Sequence, residues 1–146
     1  MEELKTVRIM RMTEEQIGLV KRTWGIFRRM DPVLVGDVFY EKLFSEHPSF
    51  KRMFKGSRAE QSKKLIDMLS SIVGHLDALD ELTDDIRALA IRHVHYGVRP
   101  SYYAPVGVAL LWTLEQGLGV DWNADVAAAW KRCYTILSTV MIDASK

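Results

Sequence analysis

From Thr13 onward, apolar residues recur at three- and four-residue steps, a spacing that commits the chain to helices. Thr13 precedes Glu14, Glu15 and Gln16 in a capping-box pattern, and Ile17, Val20, Trp24 and Phe27 follow on one face. No stretch sustains the two-residue alternation of a half-buried strand, and no Asn-Gly or Asp-Gly hairpin turn occurs. Asp31-Pro32 supplies a cap and first-turn proline for a second helix, and Pro48 ends it after Glu46 and His47. Beyond Gly56-Ser57, a long helix carries Leu65, Met68, Leu69, Ile72, Val73 and Leu76 on one face. Thr83-Asp84-Asp85 predicts the cap of the next, with Ile86, Leu89 and Ala90 inward and its stop at Gly97. Pro105 predicts the start of a very apolar helix ending near Gly117 to Gly119. Asp125 predicts the start of the last, with Trp130, Tyr134, Leu137 and Met141 as its stripe. The expectation is an all-α domain of six or seven helices over residues 13–146, after a loose extension over residues 1–12.

A chain of 146 residues suits one domain. At that size a domain buries roughly 70% of its unfolded surface. Its 48% hydrophobic and 27% charged residues exclude a disordered polymer. A net charge of +1 gives no reason to expect nucleic acid or an anionic membrane as partner. The single cysteine, Cys133, excludes an internal disulfide framework and a cysteine-rich zinc site, and it fits a reducing cytoplasm. MEELKTVRIM lacks an apolar secretory core, and the apolar run from Val106 to Trp112 falls far short of the ~20 residues of a membrane span. The expectation is a soluble cytoplasmic domain, monomeric or weakly dimeric.

IRHVHYGV, residues 91–98, holds two histidines two positions apart. A helix turns about 100° per residue, so His93 shares a face with Ile86, Leu89 and Ala90. His95 lies about 200° away, on the side of Arg92. Paired zinc histidines on a helix sit four apart, so these two cannot converge on one metal. His93 is the inward one. Helix phase alone leaves it as either a hydrogen-bonded core histidine or a ligand.

Other segments bear on that choice. Trp24, VFYEKLFSEHPSFKRMF, the long helix after Ser57, HVHYGV and AAWKRCY follow one another in the order seen in globins. Pro48, with Phe54 six residues later, resembles the globin C-helix proline and haem-stacking phenylalanine. From Glu14 to about Asp143 the chain is similar to that family, whose helices pack around a haem. The resemblance implies a three-over-three arrangement with a short CD corner and no D helix, since only seven positions separate Phe54 from Gln61. It implies haem b as cofactor, with His93 as the proximal iron ligand.

On the opposite side it implies Tyr40, Gln61 and Leu65 as the distal residues. This combination resembles flavohaemoglobins and the single-domain bacterial haemoglobins related to them. Gly36 and Ser62 fall where the second and third helices would cross closely, bringing Tyr40 and Gln61 together. Phe54, Phe50, Met53, Leu89, Val98 and Val106 are expected haem contacts. Lys64 is a partner for a propionate, and Tyr103 matches the tyrosine behind the proximal histidine. The acidic residue that accompanies that tyrosine in flavohaemoglobins would fall near Ser145, where no Glu stands. The chain also stops where their reductase domain begins.

The implied function is binding of O2, NO and CO at an iron with one open position. Tyr40 acts as hydrogen-bond donor there, and Gln61 supports it or donates directly. Tight O2 binding, slow release and NO dioxygenation with an external reductase follow; the alternative is a haem-based sensor or oxygen store acting through a partner. Other residues take plainer readings. His47 and His75 are expected at the surface, and Cys133 in packing. Lys51, Arg52, Lys55 and Arg58 form a solvated corner that an acidic reductase could also use.

Overall fold

The computed structural model describes residues 12–146, and among them all regular structure is helical. Six α-helices follow in order: α1 Glu14–Phe27, α2 Pro32–Glu46, α3 Arg58–Gly74, α4 Thr83–His95, α5 Tyr103–Leu118 and α6 Ala124–Ala144. Short 3-10 turns, Pro48–Met53, Leu76–Leu82, Pro100–Tyr102 and Gly119–Asp121, join them. Residues 1–11 of the expected extension lie outside the described residues. Met12 is buried against the core.

The local signals explain most of these boundaries. Thr13 Oγ1 accepts from Gln16 N, while Gln16 Oε1 accepts from Thr13 N, closing the capping box. Asp31 caps α2 ahead of Pro32, and Ser57 caps α3. Three starts differ from the sequence expectation. Thr83 is the first helical residue of α4, with its hydroxyl donating to Asp80 O at 2.8 Å across the preceding turn. Asn123, not Asp125, caps α6 by accepting from Val126 N. The helix expected at Pro105 opens two residues earlier, at Tyr103, because the 3-10 turn from Pro100 runs straight into it. α4 ends at His95, and Gly97 takes a φ of +91° to turn the chain away.

α1 packs on α6, α2 on α3 and α5, and α4 on α6, so that α1, α3 and α4 lie over α2, α5 and α6. Trp24 and Trp130 meet with ring centroids 5.9 Å apart in the shared core. Both indole N–H groups are satisfied: Trp24 Nε1 donates to Ser70 Oγ at 3.0 Å and Trp130 Nε1 to Thr23 Oγ1 at 2.9 Å. Between Met53 and Arg58 there is only a short irregular connection, so this corner carries no D helix.

The α2–α3 crossing is the closest-fitted part of the frame. A Cβ placed on Gly36 would collide with the Ser62 side chain and sit 3.0 Å from Ser62 Cα. Ser62 is fully buried there, and its Oγ has no hydrogen-bond partner among the described residues. Only glycine on α2 permits that approach, and it carries Tyr40, one turn further along α2, against the start of α3.

Candidate functional site

A cavity of about 980 Å³ opens between α2, α3, α4 and α5, with α6 at its back. All twelve residues named above as the site line it: His93, Tyr40, Gln61, Leu65, Phe54, Phe50, Met53, Lys64, Leu89, Val98, Tyr103 and Val106. Sequence reasoning passed over Tyr102, Tyr134, Leu137, Met141 and Arg92, which also line it. Leu137 and Met141 carried a signal in the inward stripe of α6. Tyr102 and Arg92 carried none.

On the α4 side, His93 is half-buried and its Nδ1 lies 2.8 Å from Leu89 O. That bond fixes the N–H on Nδ1 and leaves Nε2 with the lone pair. Burial lowers the imidazole pKa below its ordinary value; the Leu89 carbonyl opposes this and Arg92 adds to it. A neutral imidazole is the form that binds a metal. His95 is exposed to solvent, although it is also among the residues that line the cavity.

Behind His93, the Tyr103 ring lies nearly parallel to the imidazole, with centroids 6.5 Å apart. Tyr134 Oη donates to Tyr103 O at 2.6 Å, and the Tyr134 ring fills the space above Gly107, where a Cβ would come within 2.5 Å of it. Burial pushes the phenols of Tyr103 and Tyr134 above their usual range. Ser145 gives its hydroxyl to Ile142 O.

Across the cavity, Tyr40 is 3% exposed and boxed by aromatic rings: Phe39 and Phe54 edge-on at 4.9 and 5.1 Å, Phe44 stacked at 5.7 Å. Its hydroxyl donates to the main-chain carbonyl of Gln61 at 3.3 Å. Tyr40 and Gln61 therefore meet, though not through the amide side chain as expected: Gln61 Nε2 donates to Lys55 O at 2.9 Å. The physical reason is local. Gly56, at φ +111°, folds the corner back so that the Lys55 carbonyl faces the first turn of α3. Burial pushes the Tyr40 phenol up to about 12, and Arg58 pulls against that shift. It stays a protonated donor through the neutral range.

Three plainer readings need amendment. Arg58 is not simply solvated: it lies over the Tyr40 and Phe44 rings and contacts two carboxylates. His47 is half-buried and stacks on Phe50 with centroids 5.0 Å apart, while His75 is half-buried and bonds Ser71 O. Cys133 is buried as expected, beside a small apolar void with Ile72, Ile86 and Leu137, and burial pushes its thiol up to about 12.

The family model named Globin matches residues 37–141. The chain belongs to the globin family. An uncharacterised globin-like protein of Aquifex aeolicus is 31% identical over 135 residues, covering 92% of this chain and 95% of that one. A flavohemoprotein of Oceanobacillus iheyensis is 25% identical over 144 residues; the match takes in 92% of this globin but 36% of the relative, about a third of its length. A bacterial globin of Campylobacter jejuni superposes with TM-score 0.80 at 24% identity, covering 91% of this chain and 96% of that one, a likeness of fold. Family membership implies a haem-binding, oxygen-related role. The cavity suits that group. Its volume is at the upper end of cofactor pockets, roughly 300–1,000 Å³. Its walls are mainly apolar, one neutral imidazole faces in, and Lys64 and Arg92 line it as cations. No helix among the described residues is long and apolar enough to cross a membrane.

Proposed function

We propose that this globin holds haem b on His93 Nε2 and binds O2 with slow release, serving NO dioxygenation supplied by a separate reductase. When bound, the haem supplies an iron with one open coordination position for O2, NO or CO. The single observation that carries the reading is the opposition of His93 and Tyr40 across one cavity, the first with its Nδ1 engaged and the second with a protonated, buried hydroxyl.

Tyr40 Oη provides the donor for a ligand that gains negative character, giving up its bond to Gln61 O to do so. Gln61 has two N–H groups on Nε2; Lys55 O takes one, and the second remains for the cavity. Leu65, Phe54 and Val106 exclude water, which strengthens each hydrogen bond made inside. Lys64 and Arg92 pair with the propionates.

Hydrogen bonds to charged acceptors contribute roughly 1.5–3 kcal/mol, one to two decades in release rate. Tyr40→Phe is expected to speed O2 dissociation at least about tenfold in stopped-flow exchange against CO; an unchanged rate removes Tyr40 as donor. NO, O2 and one electron give nitrate, so turnover needs a reductant. The exposed cations Lys51, Arg52 and Lys55, the last of which lines the cavity, support an acidic protein as that donor. Rapid nitrate formation on mixing the O2-loaded protein with NO tests the enzymatic reading. Absence of nitrate favours the second reading, a sensor or oxygen store. That reading draws support from His93 bonding a main-chain carbonyl, a weaker electron-donating partner than a carboxylate.

A further inference from the structure

Arg58 opens α3 at the corner where α2 turns over the cavity. Its guanidinium carbon lies 5.6 Å from the centroid of the Tyr40 ring and 5.6 Å from that of Phe44. Nη1 contacts Asp37 Oδ1 at 3.5 Å and Glu41 Oε1 at 3.4 Å, both on α2. Each ion pair is largely solvated and holds little alone. Together they present two acceptors to a planar, permanently charged group whose flat face suits stacking. The remaining sides of the Tyr40 ring are taken by Phe39, Phe44 and Phe54.

We propose that Arg58 is a positioning residue for Tyr40: Asp37 and Glu41 hold its guanidinium over the phenol ring, fixing the ring's orientation and polarising its O–H into a stronger donor toward the cavity. This rests on Tyr40 being the ligand donor. A cation over an aromatic face draws electron density from the ring and stabilises the phenolate relative to the phenol. Lys55 and Lys64 line the same cavity. The cation over the Tyr40 ring is that of Arg58. The basic corner is therefore divided in role: Lys51 and Arg52 face solvent, whereas Arg58 faces the aromatic box.

Two measurements on the haem-loaded protein separate this role from a structural one. The first is O2 release in the wild type, Arg58→Met, Arg58→Lys, Tyr40→Phe and the Tyr40→Phe/Arg58→Met double variant. Arg58→Met is expected to speed release roughly two- to fivefold, with Arg58→Lys falling between it and wild type. Once Tyr40 is Phe, adding Arg58→Met is expected to change nothing more. An equal effect in both backgrounds overturns the proposal. The second is a 19F titration of fluorotyrosine-substituted protein in the CO form, with the Tyr40 signal assigned by its loss in Tyr40→Phe. Removing the cation is expected to raise that tyrosine's titration by about half a pH unit. An unmoved titration overturns the proposal whatever release does. If Tyr40→Phe alone leaves release unchanged, the donor reading fails instead, and the two failures are distinct.

Discussion

Gly36 and Ser62 set the separation of the two helices that frame the distal side. A methyl on Gly36 meets the Ser62 side chain and backbone at once, and neither can swing aside. Overpacking of this kind costs about 1–3 kcal/mol. Gly36→Ala is therefore expected to lower the denaturant midpoint accordingly and to weaken the Tyr40–Gln61 contact. Ser62→Ala is expected to be neutral or to stabilise by up to about 1 kcal/mol, because it removes a buried hydroxyl without a partner. A loss above that size on Ser62→Ala means the hydroxyl has a partner, such as ordered water. At this scale the sequence was legible where helix phase decides, as for His93 facing in and His95 out. It was not legible where a side-chain rotamer or a through-space face decides. Gln61 turns to Lys55 O because of the Gly56 turn, and Arg58 reads as one more cation until Tyr40 and Phe44 are seen beneath it.

Among the helices, position followed from caps and apolar phase, while the joints between them did not. The 3-10 segments are too short to show a period, so Leu76, expected inside the third helix, lies in the turn after it. The sequence points to Asp125 as the start of α6, but the cap is Asn123. The backbone decides for Asn123, which is extended and accepts from Val126 N at 3.0 Å, leaving Asp125 in the first turn, where its charge suits the helix dipole. Asn123→Ala is expected to destabilise by about 1 kcal/mol in urea unfolding. Asp125→Ala is expected to cost less, about 0.3–1 kcal/mol at low ionic strength and fading with salt. The reverse order would make Asp125 the functional cap. α6 matters beyond its own stability, since Tyr134, Leu137 and Met141 close the rear of the cavity.

For the whole molecule, the decisive feature is a cavity of about 980 Å³ in a chain of 146 residues. Protein interiors rarely keep voids larger than a water molecule. A space of this size framed by five helices is retained for a guest, and filling it with haem adds stability through mass action. The order of segments along the chain disclosed this architecture because each piece performs one task in the same enclosure: Trp24 in the α1–α6 core, Phe54 at the corner, His93 and Tyr40 on facing walls. The most direct test is the absorption spectrum of the purified protein titrated with haem, as isolated, reduced and with CO. The wild type and His95→Ala are expected to give a sharp Soret band that shifts on reduction and again with CO, and His93→Ala to lose stable binding. A wild type without a Soret band, or a His93→Ala protein with the wild-type spectrum, would contradict haem ligation by His93.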